Sequence, residues 1–272
     1  GKDLMIESEM EKFIWKIFNW KAPELLHAGL IRIKGVEGVK LSKSKAQAEV
    51  KSGEFIGWDD PRTWSVQSLR RRGFSPESIR EFILSIGLNQ NDIEVPIDVL
   101  YAINKKMLDF IVNRYFLIEK PVQVDILNAP EIDVELNLHP DYPDRGKRFF
   151  STSGNFYIAK SDIERLEEGK MYRLMDCLNF VVKNNKFVFD SAEHEKYKTA
   201  ANKGGIMHYL PVADLPKFEM MMPDGSTIKG FCEFGVEKLE KDDIIQAERL
   251  GFVKLDSIDV SERVYKFWYA HK

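Results

Sequence analysis

The chain has 272 residues, a formal net charge of -3, 44% hydrophobic and 31% charged residues, a composition that suits two or three globular domains with a sizeable core. Five tryptophans and eighteen phenylalanines argue against disorder over most of its length, and no apolar run is long enough to span a membrane. The mild acidity gives no global sign of nucleic acid, so any RNA-binding case rests on local patches.

The opening, GKDLMIESEMEK, lacks a signal-peptide layout and starts abruptly on a charged tripeptide ahead of a helix, so we expect further chain upstream. Residues 5–18 place Met10, Phe13, Ile14, Ile17 and Phe18 at helical spacing, and Asn19, Trp20 and Pro23 end that helix. LLHAGLIRIKG reads as a short strand with Ile31 and Ile33 on one face. A helix feeding a strand is the tail of an α/β unit. EGVKLSKSKAQ follows, with Lys40, Lys43 and Lys45 set among Ser42 and Ser44, behind Gly35 and Gly38. Composition alone allows a solvated surface loop. The other reading is a mobile loop whose ammonium groups meet a polyphosphate, with small hydroxyls that let the backbone approach it. Its place between an α/β strand and helices favours the second reading.

From Trp58, GWDDPRTWSVQSLRRRGFSPESIREFILSIG reads as two short helices about Gly73, the second opened by Ser75 as N-cap and Pro76 at the first helical position. Asp59 and Asp60, just before Pro61, suit a turn or cap better than acid/base work. SLRRRG puts three arginines at a helix end, either as cations favoured by the helix dipole or as a phosphate clamp. A longer helix is expected near 96–114 on Val99, Leu100, Ile103, Met107, Phe110 and Ile111. After Tyr115 come short apolar or alternating runs, from VQVDIL to VYKFWYA, separated by Gly, Pro, Asn and Asp, which predict β-barrels or sandwiches. Within them, HPDYPDRGKRFF (His139 to Phe150) is either a surface hairpin or a single-stranded RNA site, where cations hold phosphates or base edges and aromatics stack on bases. His208, in an apolar strand, reads as a hydrogen-bonded core residue, and His139 is a singleton. Cys177 and Cys232 lack zinc-ligand spacing and suit a reducing compartment. There is no nucleophile elbow, P-loop or GxGxxG.

KLSKS resembles the KMSKS signature of class I aminoacyl-tRNA synthetases, with Leu41 in place of methionine. GWDDPR followed by SLRRRGFSPESIREFI looks like the segment after that loop in glutamyl- and glutaminyl-tRNA synthetases of the archaeal/eukaryotic type. NLHPDYPDRGKRFF, HYLPV and QAERLGFVKLDS look like the anticodon-binding β-barrels of the same group. GKDLMIESEMEKFIWKIFNW resembles the archaeal glutamyl enzymes, whereas glutaminyl enzymes carry a C-T-L-E-F-like stretch there. The family's HIGH motif has no counterpart here, so the resemblance implies a C-terminal part that starts inside the catalytic domain.

That resemblance implies a multi-domain α+β fold. Residues 1–35 would be the end of a Rossmann-type α/β catalytic domain, 36–115 the KMSKS-like loop with a helical stem-contact domain, and 116–272 anticodon-binding β-barrels. It implies a cytoplasmic ligase that uses ATP and Mg2+ to charge tRNA(Glu) with glutamate through glutamyl-adenylate, this part being inactive alone. Charging of tRNA(Gln) is left open, and no membrane or protein-held metal is implied. A part of a glutaminyl-tRNA synthetase and a non-catalytic tRNA-binding module are the alternatives. Lys43 would stabilise the α-phosphate and departing pyrophosphate, helped by Lys40, with Ser42 and Ser44 holding the loop against ATP. Arg70 and Arg71 would touch the inner side of the L-shaped tRNA. Arg145, Lys147 and Arg148 would hold RNA phosphates or base edges, and Arg148 and Arg249 fall at anticodon-reading positions. Without ATP, the lysine-rich loop is expected to be poorly ordered.

Overall fold

A computed structural model describes residues 1–36 and 43–272. Lys40, Ser42 and the expectation about loop order therefore lie outside the described residues. Before residue 110 come helix α1 (Met5–Ile17), strand β1 (Ile31–Lys34), α2 (Lys43–Ser52), α3 (Val66–Arg72), α4 (Pro76–Ile86), β2 (Ile93–Pro96) and α5 (Ile97–Leu108). The chain groups into two units, Gly1–Lys40 with Phe74–Met107, and Leu41–Gly73 with Leu108–Lys272.

In the first unit β1 and β2 pair in parallel, Ile31 opposite Ile93 and Ile33 opposite Val95. The sequence reading did not foresee β2, because four residues between polar neighbours show too little alternation to be told from a loop. Ser75 caps α4 as expected, its Oγ accepting the Ser78 N–H at 3.0 Å. The buried Asn104 of α5 then accepts from Ser75 N–H and Ser78 Oγ–H at 3.0 and 2.9 Å. Its carboxamide oxygen ties the two helices together. The helix expected to reach 114 stops at Leu108. That carbonyl accepts both the Ile111 and Val112 N–H groups, and the tightened turn buries Val112 while Phe110 and Ile111 face solvent.

In the second unit, residues 43–52 are helical rather than a continuation of the lysine-rich loop. Ala46, Gln47, Ala48 and Glu49 are good helix formers, and Lys45 pairs with Glu49 one turn on at 3.4 Å. Asp60 takes the capping role expected of it. It is buried and accepts from the Arg62 N–H, Nε and Nη2, at 2.8–3.0 Å, and from the Ile56 N–H at 3.1 Å.

The rest of the chain is mainly strand, as expected. In order these are β3 (Arg114–Tyr115), β4 (Leu117–Glu119), β5 (Pro121–Leu127), β6 (Ile132–Asn137), β7 (Lys147–Thr152) and β8 (Asn155–Ala159). Helix α6 (Lys160–Ile163) precedes β9 (Met171–Leu174), β10 (Asn179–Lys183) and β11 (Lys186–Ser191). Helix α7 (His194–Thr199) precedes β12 (Lys203–Met207), β13 (Leu210–Pro211), β14 (Lys217–Met221), β15 (Thr227–Cys232), β16 (Ile244–Ala247), β17 (Gly251–Asp259) and β18 (Val264–His271). They make two seven-stranded sheets, ordered β12-β9-β10-β11-β5-β8-β13 and β3-β16-β17-β18-β14-β15-β4, and a β6–β7 hairpin.

Each sheet encloses its own core, and the segment Tyr115–Ile118 serves both. Phe116 and Ile118 belong to the first core, Tyr115 and Leu117 to the second. Successive residues of an extended chain point to opposite sides, so a run apolar at every position belongs where both sides are covered. The β6–β7 hairpin adds Val134 and Phe150 to the first core. Both cysteines are buried and free.

Candidate nucleic-acid interface

Alternation along β7 sorts the GKRFF motif. Lys147, Phe149 and Ser151 face outward, while Arg148, Phe150 and Thr152 are buried. Opposite them on β6, Glu135 pairs in register with Phe149 and Asn137 with Lys147. Phe149 is 71% exposed. Glu135 forms an ion pair with Lys147, and Asp133 accepts from Ser151 at 2.7 Å.

Beside this strand a groove of about 410 Å³ runs between the two sheets. β7 forms one wall, the segment from Leu210 to Ala213 another, and Glu233, Phe234 and Lys238 a third. Phe234 is half exposed. Two aromatic rings and two lysines therefore border a mostly apolar cleft.

Arg148 and Glu233 both line this groove and form a buried ion pair, Nη1 to Oε2 at 2.7 Å, with side chains 6% and 2% exposed. Glu233 also clamps the strand linking the two cores. Its Oε2 accepts the Phe116 N–H at 2.6 Å, and its own N–H donates to the Phe116 carbonyl at 3.1 Å. The guanidinium lies 4.5 Å over the Phe116 ring, and Nη2 is 3.6 Å from Glu248. Burial pushes the Glu233 carboxyl above its ordinary range, opposed by Arg148. Arg148 Nε and Glu233 Oε1 are buried and have no hydrogen-bond partner among the described residues.

The other predicted site residues sit elsewhere. Arg145 braces its hairpin, with Nη2 donating to the Phe110 carbonyl and its guanidinium 4.5 Å over the Tyr142 ring. Arg249 grips Asp162 with both terminal nitrogens, at 2.6 and 2.7 Å, and donates to His208 Nδ1 at 3.1 Å. His208 Nε2 in turn donates to the Leu117 carbonyl at 2.8 Å. Burial, aided by the Arg249 charge, lowers the His208 pKa to about 4, so this ring is a neutral core residue, as its apolar strand suggested. His139 is also buried, between the Asp109 carbonyl and the Asp141 N–H.

The three arginines of α3 diverge because residues in a helix turn by about 100° each. Arg70 is exposed. Arg71 holds Asp256 with Nε and Nη2 at 2.7 and 2.9 Å, takes Asp59 with Nη1 at 2.7 Å, and stacks 4.0 Å from the Trp268 ring. Arg72 is fully buried and donates to the Tyr269 and Ala270 carbonyls of β18. Lys43 and Ser44 open α2 and are exposed. The sequence reading missed Glu233, Asp162, Asp256 and Phe234, and covered Phe149 only among the aromatics of HPDYPDRGKRFF. Only the outward Phe149, one step from Lys147 in an alternating strand, had a readable local signal.

Residues 1–110 match the family of class I tRNA synthetase (E and Q) catalytic domains, and residues 112–200 and 177–256 match two families of their anticodon-binding domains. The chain belongs to the class I tRNA synthetases of the E and Q group. Its relatives include glutamate–tRNA ligases of Methanocaldococcus jannaschii, 39% identical over 274 residues, and Pyrococcus abyssi, 37% over 281 residues. A third, from Methanobrevibacter smithii, is 35% identical over 274 residues. All of this chain aligns in each case, against 48%, 48% and 47% of the relative, so the chain spans about half the length of the curated relatives it matches.

Proposed function

We propose that this chain is the anticodon-reading and signature-loop part of a glutamate–tRNA ligase. The enzyme would join glutamate to ATP, giving glutamyl-adenylate and pyrophosphate, and pass the glutamate to the terminal adenosine of tRNA(Glu). The names of the relatives favour glutamate over glutamine. In functional terms the chain divides as 1–35, 36–115 and 116–272, and the expected setting is the cytoplasm. Among the described residues no helix is long and apolar enough to cross a membrane.

Lys43 and Ser44 sit at the start of α2, where the main-chain N–H groups of a first helical turn and the positive end of the helix dipole favour phosphate. Lys43 would stabilise charge developing on the α-phosphate and leaving pyrophosphate, with Lys40 and Ser42 acting from the same signature. Mg2+ would accompany the ATP phosphates. Among the described residues no three His, Cys, Asp or Glu side chains gather to hold a metal ion, and no residue is assigned to it.

The observation that carries the RNA reading is the groove beside β7. Exposed Phe149 and Phe234 offer stacking faces, worth roughly 1–3 kcal/mol per base, and Lys147 and Lys238 border them. Arg148 lies within this wall but does not swing free. Leaving a buried carboxylate unpaired costs about 3–5 kcal/mol, more than the roughly 1–3 kcal/mol of a good base contact. Arg70, exposed on α3, remains a candidate for the tRNA backbone. Arg71, Arg145 and Arg249 would act on RNA mainly by shaping its seat.

The test is a titration of the chain with a glutamate anticodon stem-loop and with one carrying a changed anticodon, at fixed salt. Lys147→Ala should weaken both about equally, as for a phosphate contact. Arg148→Ala should cost roughly 1–3 kcal/mol of discrimination. Binding that is absent, or equal for the two stem-loops, would remove the reading.

A further inference from the structure

Helix α1 turns its apolar side to solvent. At about 100° per residue, Ile6, Met10, Phe13, Ile14 and Ile17 fall within roughly 100° of arc, the width of a core-facing stripe. In the fold these five are 44–77% exposed. The one buried residue of the helix, Ser8, lies on the opposite side. Single apolar residues on a surface are ordinary, whereas a contiguous stripe marks a contact.

The strand pair of the same unit is incomplete in the same sense. β1 and β2 run parallel as a two-stranded sheet, and no residue of either strand is buried. Parallel sheets are otherwise covered on both faces. β2 ends on Pro96, which offers no ladder N–H and suits an edge strand. β1 contains no proline, and its other edge has no neighbour among the described residues.

We infer that the α1 stripe and the open edge of β1 are a docking surface for the half of the relative-length protein that this chain does not cover. That half would lay an apolar layer on the stripe and a further strand beside β1. Its identity rests on the proposed reading of the chain as one part of a ligase. Residues 1–110 match a catalytic-domain family, and the chain spans about half of its relatives, so about as much chain again is available to cover the face. Glu7, Glu9, Glu11, Lys12 and Lys16 give the rest of α1 no cationic excess of the kind that holds a helix on an anionic membrane. A second copy of this chain is the competing occupant.

The test compares amide hydrogen exchange in peptides covering 5–17 and 31–34, in the 272-residue chain and in a protein of the relatives' full length. Each is measured as parent and as the triple variant Met10→Gln/Phe13→Gln/Ile17→Gln. Glutamine keeps helix propensity and the three positions are exposed, so the variant of the 272-residue chain should exchange as its parent does. In the longer protein both peptides should exchange about tenfold more slowly than in the 272-residue chain. The triple substitution should remove most of that protection from α1. Equal exchange in the two parents overturns the docking surface, and so does protection of α1 that survives the triple substitution. Should the longer variant fail to fold, the two parents decide. Sedimentation first fixes a concentration at which the 272-residue chain is a monomer. A pair that persists at every concentration and is dissolved by the triple substitution assigns the face to a second copy and overturns the proposal. No ATP, glutamate or RNA enters these measurements. A longer protein that protects both peptides but gives no glutamate-dependent ATP–pyrophosphate exchange would leave the docking surface standing and remove the ligase reading.

Discussion

Arg249, His208 and Asp162 form a chain of partners in which every proton is accounted for. With Nε2–H committed to the Leu117 carbonyl, His208 Nδ1 serves as acceptor for Arg249. Protonating that ring would place a buried cation against the Arg249 guanidinium. Its pKa is accordingly lowered from 6.5 to about 4, by burial first and Arg249 second. In the unfolded chain His208 takes up a proton below about pH 6.5, whereas in the fold it resists until about pH 4. The stability tied to this group is therefore complete above pH 6.5 and is lost as pH falls toward 4, by on the order of 3 kcal/mol. Urea unfolding across that range should show the loss in the parent. In His208→Gln, which keeps polar atoms but no titration, the pH dependence should flatten. An identical slope in both would mean that His208 is not the group responsible.

At the scale of the element, α3 shows how one sequence motif divides into three jobs. SLRRRG offers three like residues, but the helix turns them to solvent, to an aspartate pair and into the β18 carbonyls. Arg70→Ala should leave unfolding free energy within about 0.5 kcal/mol of the parent, as for ordinary surface changes, while lowering tRNA affinity. Arg71→Ala removes both a bidentate bond to Asp256 and a stacking contact with Trp268. It should cost about 1–3 kcal/mol of stability in denaturant titrations of the RNA-free chain. Equal stability losses would contradict the division. Of the two readings, Arg70 fits the solvated helix end, while Arg71 and Arg72 are turned to protein partners.

At the scale of the whole molecule, the proposed activity needs more than these residues supply. Two arms of one experiment follow. The 272-residue chain alone should give no glutamate-dependent ATP–pyrophosphate exchange, since no HIGH-like stretch occurs in it. A protein of the relatives' full length should show exchange, and Lys43→Ala there should slow adenylation by about 10²–10³ while leaving tRNA affinity nearly unchanged. Steady-state exchange and filter binding on the same preparations separate the two quantities. Robust exchange by the 272-residue chain would overturn the reading that part of the catalytic domain is missing from it, and an unchanged rate in Lys43→Ala would return KLSKS to the reading of a solvated loop.

The local signals in the sequence were sufficient for what depends on near neighbours. Ser75–Pro76 marked a helix start, the alternating runs after Tyr115 marked strands, and KLSKS, GWDDPR and GKRFF marked the family. Each of these is set by residues within a few positions of one another. Partners were a different matter. Arg148 meets Glu233, Arg249 meets Asp162 and Arg71 meets Asp256 across 85, 87 and 185 residues. Nothing local distinguishes those carboxylates from the many others in the chain. Sheet order decides them, because β15 pairs with β4 and so brings Glu233, the next residue after β15, beside Phe116. Only that crossing turns an arginine legible as a cation into a buried guanidinium held by a distant carboxylate.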